Sequence, residues 1–316
     1  VDVWHGGRVD RDGLLRVLGR LRNARIGTRR APHKPLLLLW LFGRFAGTGS
    51  SRVSYADAED PVSRLINEFG PPAGPATQRQ RAAMPFVHLE RELWHVQDGS
   101  GMAIGADAPE QRGWLVKHGA VGWLRPEVER LLAVPATLAA AARLLLELHF
   151  TPVLAELICA EVDLDLPVLD TTDHARVAAG GQRRPRRSGF AEEVLRAYAY
   201  QCAMCGFDGA LGRNPVGIEA AHVRWHSQYG PDRLDNAVAL CSLHHTLFDL
   251  GVLGLTGDRL IRVSDLYVAR TEAGRSVEVL AGRPLSVPRP ERMVVDVAFV
   301  TWHHRQVFKA GRAVSA

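Results

Sequence analysis

Two short pairs constrain this chain more than any other feature: Cys202-Ala203-Met204-Cys205 and Cys241-Ser242-Leu243-His244. Each leaves two residues between its ligand-type side chains, the gap at which one tight turn aims both at a single point. Together they offer three sulfurs and one imidazole, a closed set of the kind that holds structural Zn²⁺. A redox Cys-x2-Cys is the other reading of the first pair, but no thioredoxin-like strand–helix–strand pattern surrounds it. The sequence has only 4 cysteines in 316 residues, too few for a disulfide scaffold. Cys159, within Leu157-Ile158-Cys159-Ala160, reads as a small buried apolar residue.

Composition narrows the class. Hydrophobic residues make up 47% and charged residues 23%, which excludes wholesale disorder. The longest clean apolar run, Leu36 to Phe42, falls far short of the roughly 20 residues a membrane-spanning helix needs. The start, Val1-Asp2-Val3-Trp4-His5, lacks the basic and apolar parts of a signal peptide. The expectation is a cytoplasmic protein with no membrane partner. Lys and Arg number 39 against 34 acidic residues, a net charge of +5 that fits a polyanion partner but barely argues for one.

The length suggests about two domains. Helical spacing of Leu14, Leu15, Val17, Leu18 and Leu21 predicts a helix within 11–25. A basic turn, Arg29-Arg30-Ala31-Pro32-His33-Lys34-Pro35, then leads into a buried helix from Leu36, with Pro35 in its first turn. Val62, Leu65, Ile66 and Phe69 predict a short helix over 61–69, and Pro71-Pro72-Ala73-Gly74-Pro75 a loop. Phe86–Leu89 and Leu93–Val96 read as short strands. Residues 126–149 read as one helix or two, broken near Pro135, and 151–159 as another. From 171 the chain loses apolar character and passes through Gly180-Gly181-Gln182-Arg183-Arg184-Pro185-Arg186-Arg187-Ser188-Gly189. That composition predicts a solvated linker, either a passive tether or an arm that touches phosphates. The expected division is 1–165, linker 166–189, and 190–316.

Around the cysteine pairs stand Ile218-Glu219-Ala220-Ala221-His222-Val223, then Asp235-Asn236, then His244-His245 and Phe248-Asp249-Leu250-Gly251. His, Asn and His in this order, interleaved with the pairs, resemble the HNH endonucleases of the McrA-type restriction branch, which have a ββα-metal fold. The likeness covers roughly 190–310 and includes a closing segment, Thr301–Phe308. It implies an α+β chain in which His222 is the general base and Asn236 fixes the loop that orients it. His245 would hold a catalytic divalent ion, Mg²⁺ or Mn²⁺, while Cys202, Cys205, Cys241 and His244 hold Zn²⁺. Phosphodiester hydrolysis explains these types: a neutral imidazole takes the proton of the attacking water, and a cation offsets charge at phosphorus and the leaving oxygen. The chain departs from the pattern at Ala221, where many members carry Asp or His as a second metal ligand. Glu219 and Asp249 are candidates to replace it, but read first as a solvated strand residue and a helix-end hydrogen-bonder. His226, His303 and His304 read as ordinary surface or core residues.

The first half pairs Ala31-Pro32-His33-Lys34-Pro35-Leu36 with a downstream Pro85-Phe86-Val87-His88-Leu89-Glu90. This resembles the sulfur-binding domain of phosphorothioate-dependent restriction enzymes over roughly 10–160. It implies a mainly helical domain with a small sheet that recognises duplex DNA in which sulfur replaces one non-bridging phosphate oxygen. Sulfur is softer and less hydrated than oxygen, so an apolar wall beside a cation accepts it while rejecting the hydrated oxygen. Met84 and Pro85 fit the wall, with His33 and His88 nearby and Lys34 or Arg30 as the cation. Gln78, Arg79, Gln80 and Arg81 have heads suited to base edges. His118-Gly119 allows close approach of backbone to DNA. For each residue alone, packing or a solvated loop is an equal explanation.

The function expected is a modification-dependent, type IV-like restriction endonuclease. One site of this kind cuts one strand, so a homodimer is the expected way to cut two. Two other readings remain open at this stage: an HNH endonuclease targeting methylated DNA, and a zinc-stabilised DNA-binding protein without catalysis.

Overall fold

The computed structural model describes residues 10–21, 32–78, 80–165, 187–290 and 293–310. Arg30 and Arg79, residues 22–25 of the first helical reading, and residues 166–186 of the expected linker lie outside the described residues. The chain divides into two compact units, Val1–Arg183 and Arg184–Ala316. The division falls within the segment read as linker.

In the first unit α1 (Arg11–Gly19) is capped by Asp10, whose carboxylate accepts from Gly13 N. The helix α2 (His33–Thr48) is the core of the unit: Leu36, Leu37, Leu38, Leu39, Leu41 and Phe42 have no solvent exposure. Gly43 lets this helix close on the chain beyond it, because a Cβ there would lie 1.7 Å from Val162 O. After β1 (Val53–Ser54) comes α3 (Tyr55–Phe69), longer at its start than the 61–69 expected. Ser54 caps it by accepting from Asp57 N, and Pro61 is accommodated inside it rather than opening it. The burial of Tyr55, Ala58 and Val62 extends the same apolar stripe backward.

Next come α4 (Pro75–Gln78) and α5 (Ala83–His88). The expectation of a strand over Phe86–Leu89 is corrected here. Ala83, Phe86 and Val87 are buried with a helical i, i+3, i+4 phase, which a run this short does not separate from a strand by its apolar residues alone. The strand expected over Leu93–Val96 is β2 (Trp94–Gln97). With α6 (Arg112–Lys117) before it, β3 (Val121–Leu124) pairs antiparallel with both β1 and β2. Trp94 passes over Gly122, where a Cβ would come within 2.0 Å of the indole. Its Nε1 donates to Phe86 O at 2.9 Å, tying the end of α5 to the sheet. Then α7 (Pro126–Leu132) and α8 (Pro135–His149) meet at a 103° bend, so the region is two helices, and α9 (Pro152–Glu161) follows. Cys159 is buried as expected. Among the described residues no single helix is long and apolar enough to cross a membrane.

The second unit starts with α10 (Phe190–Ala197) and a small hairpin of β4 (Ala210–Leu211) and β5 (Asn214–Pro215). The strands β6 (Ile218–His222) and β7 (Ala237–Cys241) pair antiparallel, with Ile218 opposite Cys241 and His222 opposite Ala237. Cys241 ends β7 and caps α11 (Ser242–Asp249). Val238, Ala239, Leu240 and Phe248 are wholly buried beneath this ββα unit. A further pair, β8 (Leu253–Leu255) and β9 (Ile261–Val263), is followed by α12 (Glu272–Arg275) and by α13 (Val297–Gln306), the expected closing segment. His303 of α13 stacks on Phe248, ring centroids 3.8 Å apart, and hydrogen-bonds Phe248 O at 3.0 Å. Of the surface and core readings left open by the sequence, the structure selects core.

Candidate functional site

The Cys202–Cys205 turn and the junction of β7 with α11 bring the two ligand pairs to one point. The sulfurs of Cys202, Cys205 and Cys241 and a ring nitrogen of His244 all lie within 4.8 Å of one another. His244 Nδ1 is 3.4 Å from Cys202 Sγ and 3.3 Å from Cys241 Sγ. Tetrahedral bonds of about 2.3 Å to sulfur and about 2.0 Å to nitrogen give ligand separations of this size, so the residues fit a closed four-coordinate metal site. Hydrogen bonding from Cys241, joined by His244 against the effect of burial, holds the Cys202 thiol far below its ordinary range. A thiol poised to lose its proton is what a metal of this class requires.

Beside this brace, His222 stands at the end of β6 with its side chain only 10% exposed. Its Nε2 is 2.8 Å from Asp232 Oδ1. Phe190 packs against the ring at a centroid distance of 4.9 Å, and His226 lies 5.8 Å away on the same measure. Burial raises the Asp232 carboxyl, but hydrogen bonds from Arg187 N and His222 outweigh it and hold the group below the usual carboxylate range.

The loop from β6 to β7 is fastened by Asn236, which has no solvent exposure. Its Oδ1 accepts from Arg224 N at 2.8 Å, and its Nδ2 donates to Arg224 O and Pro231 O, both at 3.0 Å. Gly230 makes this closure possible: a Cβ there would lie 1.7 Å from Arg224 O and 2.9 Å from Asn236 Nδ2. The asparagine therefore fixes the loop on which Asp232 is carried, directly beside the strand end that carries His222.

His245, on the first turns of α11, is flanked by two carboxylates. Glu219 Oε2 lies 2.7 Å from its Nδ1 and Asp249 Oδ2 3.5 Å from its Nε2. Ser242 Oγ donates to the other Glu219 oxygen at 2.6 Å. Glu219 is the solvated strand residue expected, its side chain 43% exposed, and these contacts add a specific pairing with His245. Burial raises its carboxyl, but Ser242 and His245 together hold it below the ordinary range. Asp249 ends α11, as expected, and is buried there against His245.

In the first unit the residues expected at DNA divide by exposure. His33 and Lys34 open α2 and are buried. Lys34 Nζ pairs with Glu90 Oε1 at 2.7 Å. On α5, Pro85 is buried and Met84 half-buried. His88 Nε2 lies 2.7 Å from Glu110 Oε1. Arg81 joins the two helices: one Nη lies 3.1 Å from His33 Nε2, and the other donates to Ile66 O, Asn67 Oδ1 and Pro71 O. Its expected role at base edges is corrected, since the guanidinium is buried and both Nη atoms face internal partners. Burial brings its pKa down to about 10. Gln78 donates to Ala73 O, and Gln80 is exposed. His118 stacks on Trp114 at 4.1 Å, and Gly119, exposed, has φ of +60°.

Sequence reasoning missed Asp232 and Arg81's inward role. Asp232 lies in Gly230-Pro231-Asp232-Arg233, where turn composition already accounts for an Asp.

Residues 11–166 match the family model of the ScoMcrA-like, DNA sulfur-binding domain. Residues 202–256 match that of an HNH endonuclease. No curated protein matches the chain significantly. Among solved structures, the chain is similar to a modification-dependent TagI restriction endonuclease at 22% identity and a TM-score of 0.34, covering 46% of each chain. It is similar to the sulfur-binding domain of SprMcrA complexed with phosphorothioated DNA at 22% identity and a TM-score of 0.42, covering 51% of this chain and 97% of that one. It is similar to the type IV phosphorothioation-dependent restriction endonuclease ScoMcrA at 13% identity and a TM-score of 0.33, covering 88% and 98%. The chain thus spans less than half the length of the TagI enzyme it matches. By the two family matches, it joins a ScoMcrA-like DNA sulfur-binding domain to an HNH endonuclease domain.

Proposed function

We propose that the chain is a modification-dependent restriction endonuclease: its first unit binds phosphorothioated duplex DNA and its second hydrolyses phosphodiester bonds. The observation that carries the reading is the Asn236-fastened loop, which sets Asp232 against His222 within a domain matching HNH endonucleases. The sulfur-binding match in the same chain supplies the targeting.

His222 is the general base. A carboxylate only accepts, so Asp232 fixes the proton on Nε2 and makes Nδ1 the basic nitrogen. Nδ1 takes a proton from water as the water oxygen bonds to phosphorus. The bond from phosphorus to the 3′ oxygen breaks, and that oxygen takes a proton from solvent. The products are a 5′-phosphate and a 3′-hydroxyl. Asp232 then offsets the charge of the imidazolium. A divalent ion, Mg²⁺ or Mn²⁺, held at His245 supplies positive charge beside the phosphate. The Cys202, Cys205, Cys241 and His244 set would hold Zn²⁺, which would brace the fold and leave the chemistry to the other residues.

At the mark, half-buried Met84 and His88 form the rim that meets the sulfur, and Pro85, His33 and Lys34 are buried behind them as its support. The Lys34 charge is already met by Glu90, which weakens its pull on an ordinary phosphate and leaves shape and softness to decide. Gln78, Gln80 and the His118-Gly119 turn border the duplex, with Arg30 and Arg79 adding charge. Two copies on the DNA supply the two cuts. Gel filtration with a nicking-versus-cutting assay tests this, and a monomer that cuts both strands at one bound site contradicts it.

The test is binding to matched duplexes carrying one sulfur, no mark, or methylated cytosine. Selective retention of the sulfur duplex supports the reading. Equal binding to all three, or preference for the methylated one, contradicts it.

A further inference from the structure

We infer that Glu219 is the second protein ligand of the divalent ion at His245, and that Asp249 orients the imidazole for it. The inference rests on the HNH reading above and deepens it by naming the ligand that Ala221 does not provide.

Ala221, immediately before His222, is wholly buried and has no donor atom. Glu219 is two residues earlier on the same strand, and alternation puts it on the same face. It also reaches His245 across the β6–α11 junction, at 2.7 Å.

The ring of His245 has a carboxylate at each nitrogen. A neutral imidazole carries one N–H, so it can donate to only one of them. At the other nitrogen a lone pair faces a carboxylate oxygen, an arrangement that a cation between the two resolves. Exposure decides which side that is. The Asp249 side chain is 1% exposed, while that of Glu219 is 43% exposed. Only the Glu219 side is open to water and a DNA phosphate. Asp249 Oδ2, 3.5 Å from Nε2, is therefore the carboxylate placed to accept from Nε2–H once Nδ1 is given to the ion, as carboxylates behind metal-bound histidines do. The Nδ1 lone pair and the Glu219 carboxylate then converge on the open side. Ser242 occupies Oε1 of Glu219 and so turns Oε2 toward the ring. One carboxylate and one imidazole, completed by phosphate and water, suit Mg²⁺ or Mn²⁺, which retain several waters.

The test uses the full-length chain stripped of weakly held metal, with Mn²⁺ alone as the probe. Free Mn²⁺ is read by electron paramagnetic resonance, and zinc content and thermal melting serve as controls for folding. Wild type binds one Mn²⁺. Both Glu219→Gln and His245→Ala weaken that binding by about tenfold or more, with zinc content unchanged. Glu219→Asp recovers part of the loss. If His245→Ala loses Mn²⁺ while Glu219→Gln keeps wild-type affinity, the inference is overturned and the reading of His245 stands. If neither variant changes binding, or wild type binds no Mn²⁺, the metal role of His245 fails and the inference fails with it.

Discussion

His222 and Asp232 form the hydrogen-bonded contact on which the chemistry of the second unit turns, 2.8 Å apart and both shielded from solvent. One ends a strand and the other sits in the loop that follows, so neither the pair nor its orientation is a local product of sequence. Asp232→Asn keeps the size of the side chain but removes the acceptor that fixes the Nε2 proton. Turnover falls by about tenfold to 100-fold while DNA affinity stays as in wild type. Single-turnover cleavage beside a binding titration checks this, and an equal loss in both would reduce Asp232 to a structural role.

The same carboxylate predicts a dependence of stability on pH. Asp232 and Glu219 are held below the ordinary carboxylate range in the folded chain. Between those lower folded values and the unfolded value of about 4, the unfolded chain binds more protons than the folded one. Their contribution is therefore present at neutral pH and is lost as the pH falls through the lower folded values. Thermal melts of wild type and Asp232→Asn differ at pH 7, and the gap closes on acidification. A gap that widens in acid would contradict the assignment.

Metal removal should act on the second unit. A chelator strong enough to strip the Cys202, Cys205, Cys241 and His244 set lowers the melting temperature of Arg184–Ala316, because three thiol-type ligands and an imidazole drawn from two separate turns lose the ion that would hold them together. Cys241→Ala does the same. Cys159→Ala leaves metal content unchanged, since that thiol is buried apart from the cluster and burial pushes it up to about 11. Retained metal in Cys241→Ala would contradict the ligand set.

Lys34 and Glu90 separate folding from recognition. Lys34→Met leaves the Glu90 carboxylate buried without its cation and costs about 3–5 kcal/mol. Adding Glu90→Gln restores most of that stability. It does not restore preference for sulfur-marked DNA, which needs the paired Lys34 in place to shape the recognition edge. Melting temperatures and binding ratios of the two variants check this, and a double variant with wild-type preference would remove Lys34 from the recognition edge.

The two ligand pairs are legible in the sequence because a knuckle is a local device: two ligands, one turn, fixed spacing. Leu36–Phe42 is legible as buried because a run that apolar has no solvent face to offer. Phe86–Leu89 is not, since a short stretch bearing Phe and Val suits strand and helix alike until Trp94 Nε1 takes Phe86 O. Arg81 reads as an outward head beside Gln78 and Gln80, and only the carbonyls of Ile66 and Pro71 reveal that it turns inward. Glu219 and Asp232 escape for the same reason: their partners come from a helix and a strand that meet only in the folded chain.

Cleavage of two duplexes of one sequence, differing by a single sulfur, by wild type and His222→Ala tests the account most directly. Wild type with Mg²⁺ or Mn²⁺ cuts the sulfur-bearing duplex and spares the other, while His222→Ala binds the marked duplex and cuts about 100-fold or more slowly. Cutting by His222→Ala at the wild-type rate, or wild type that binds the mark and cuts nothing with either metal, would contradict it.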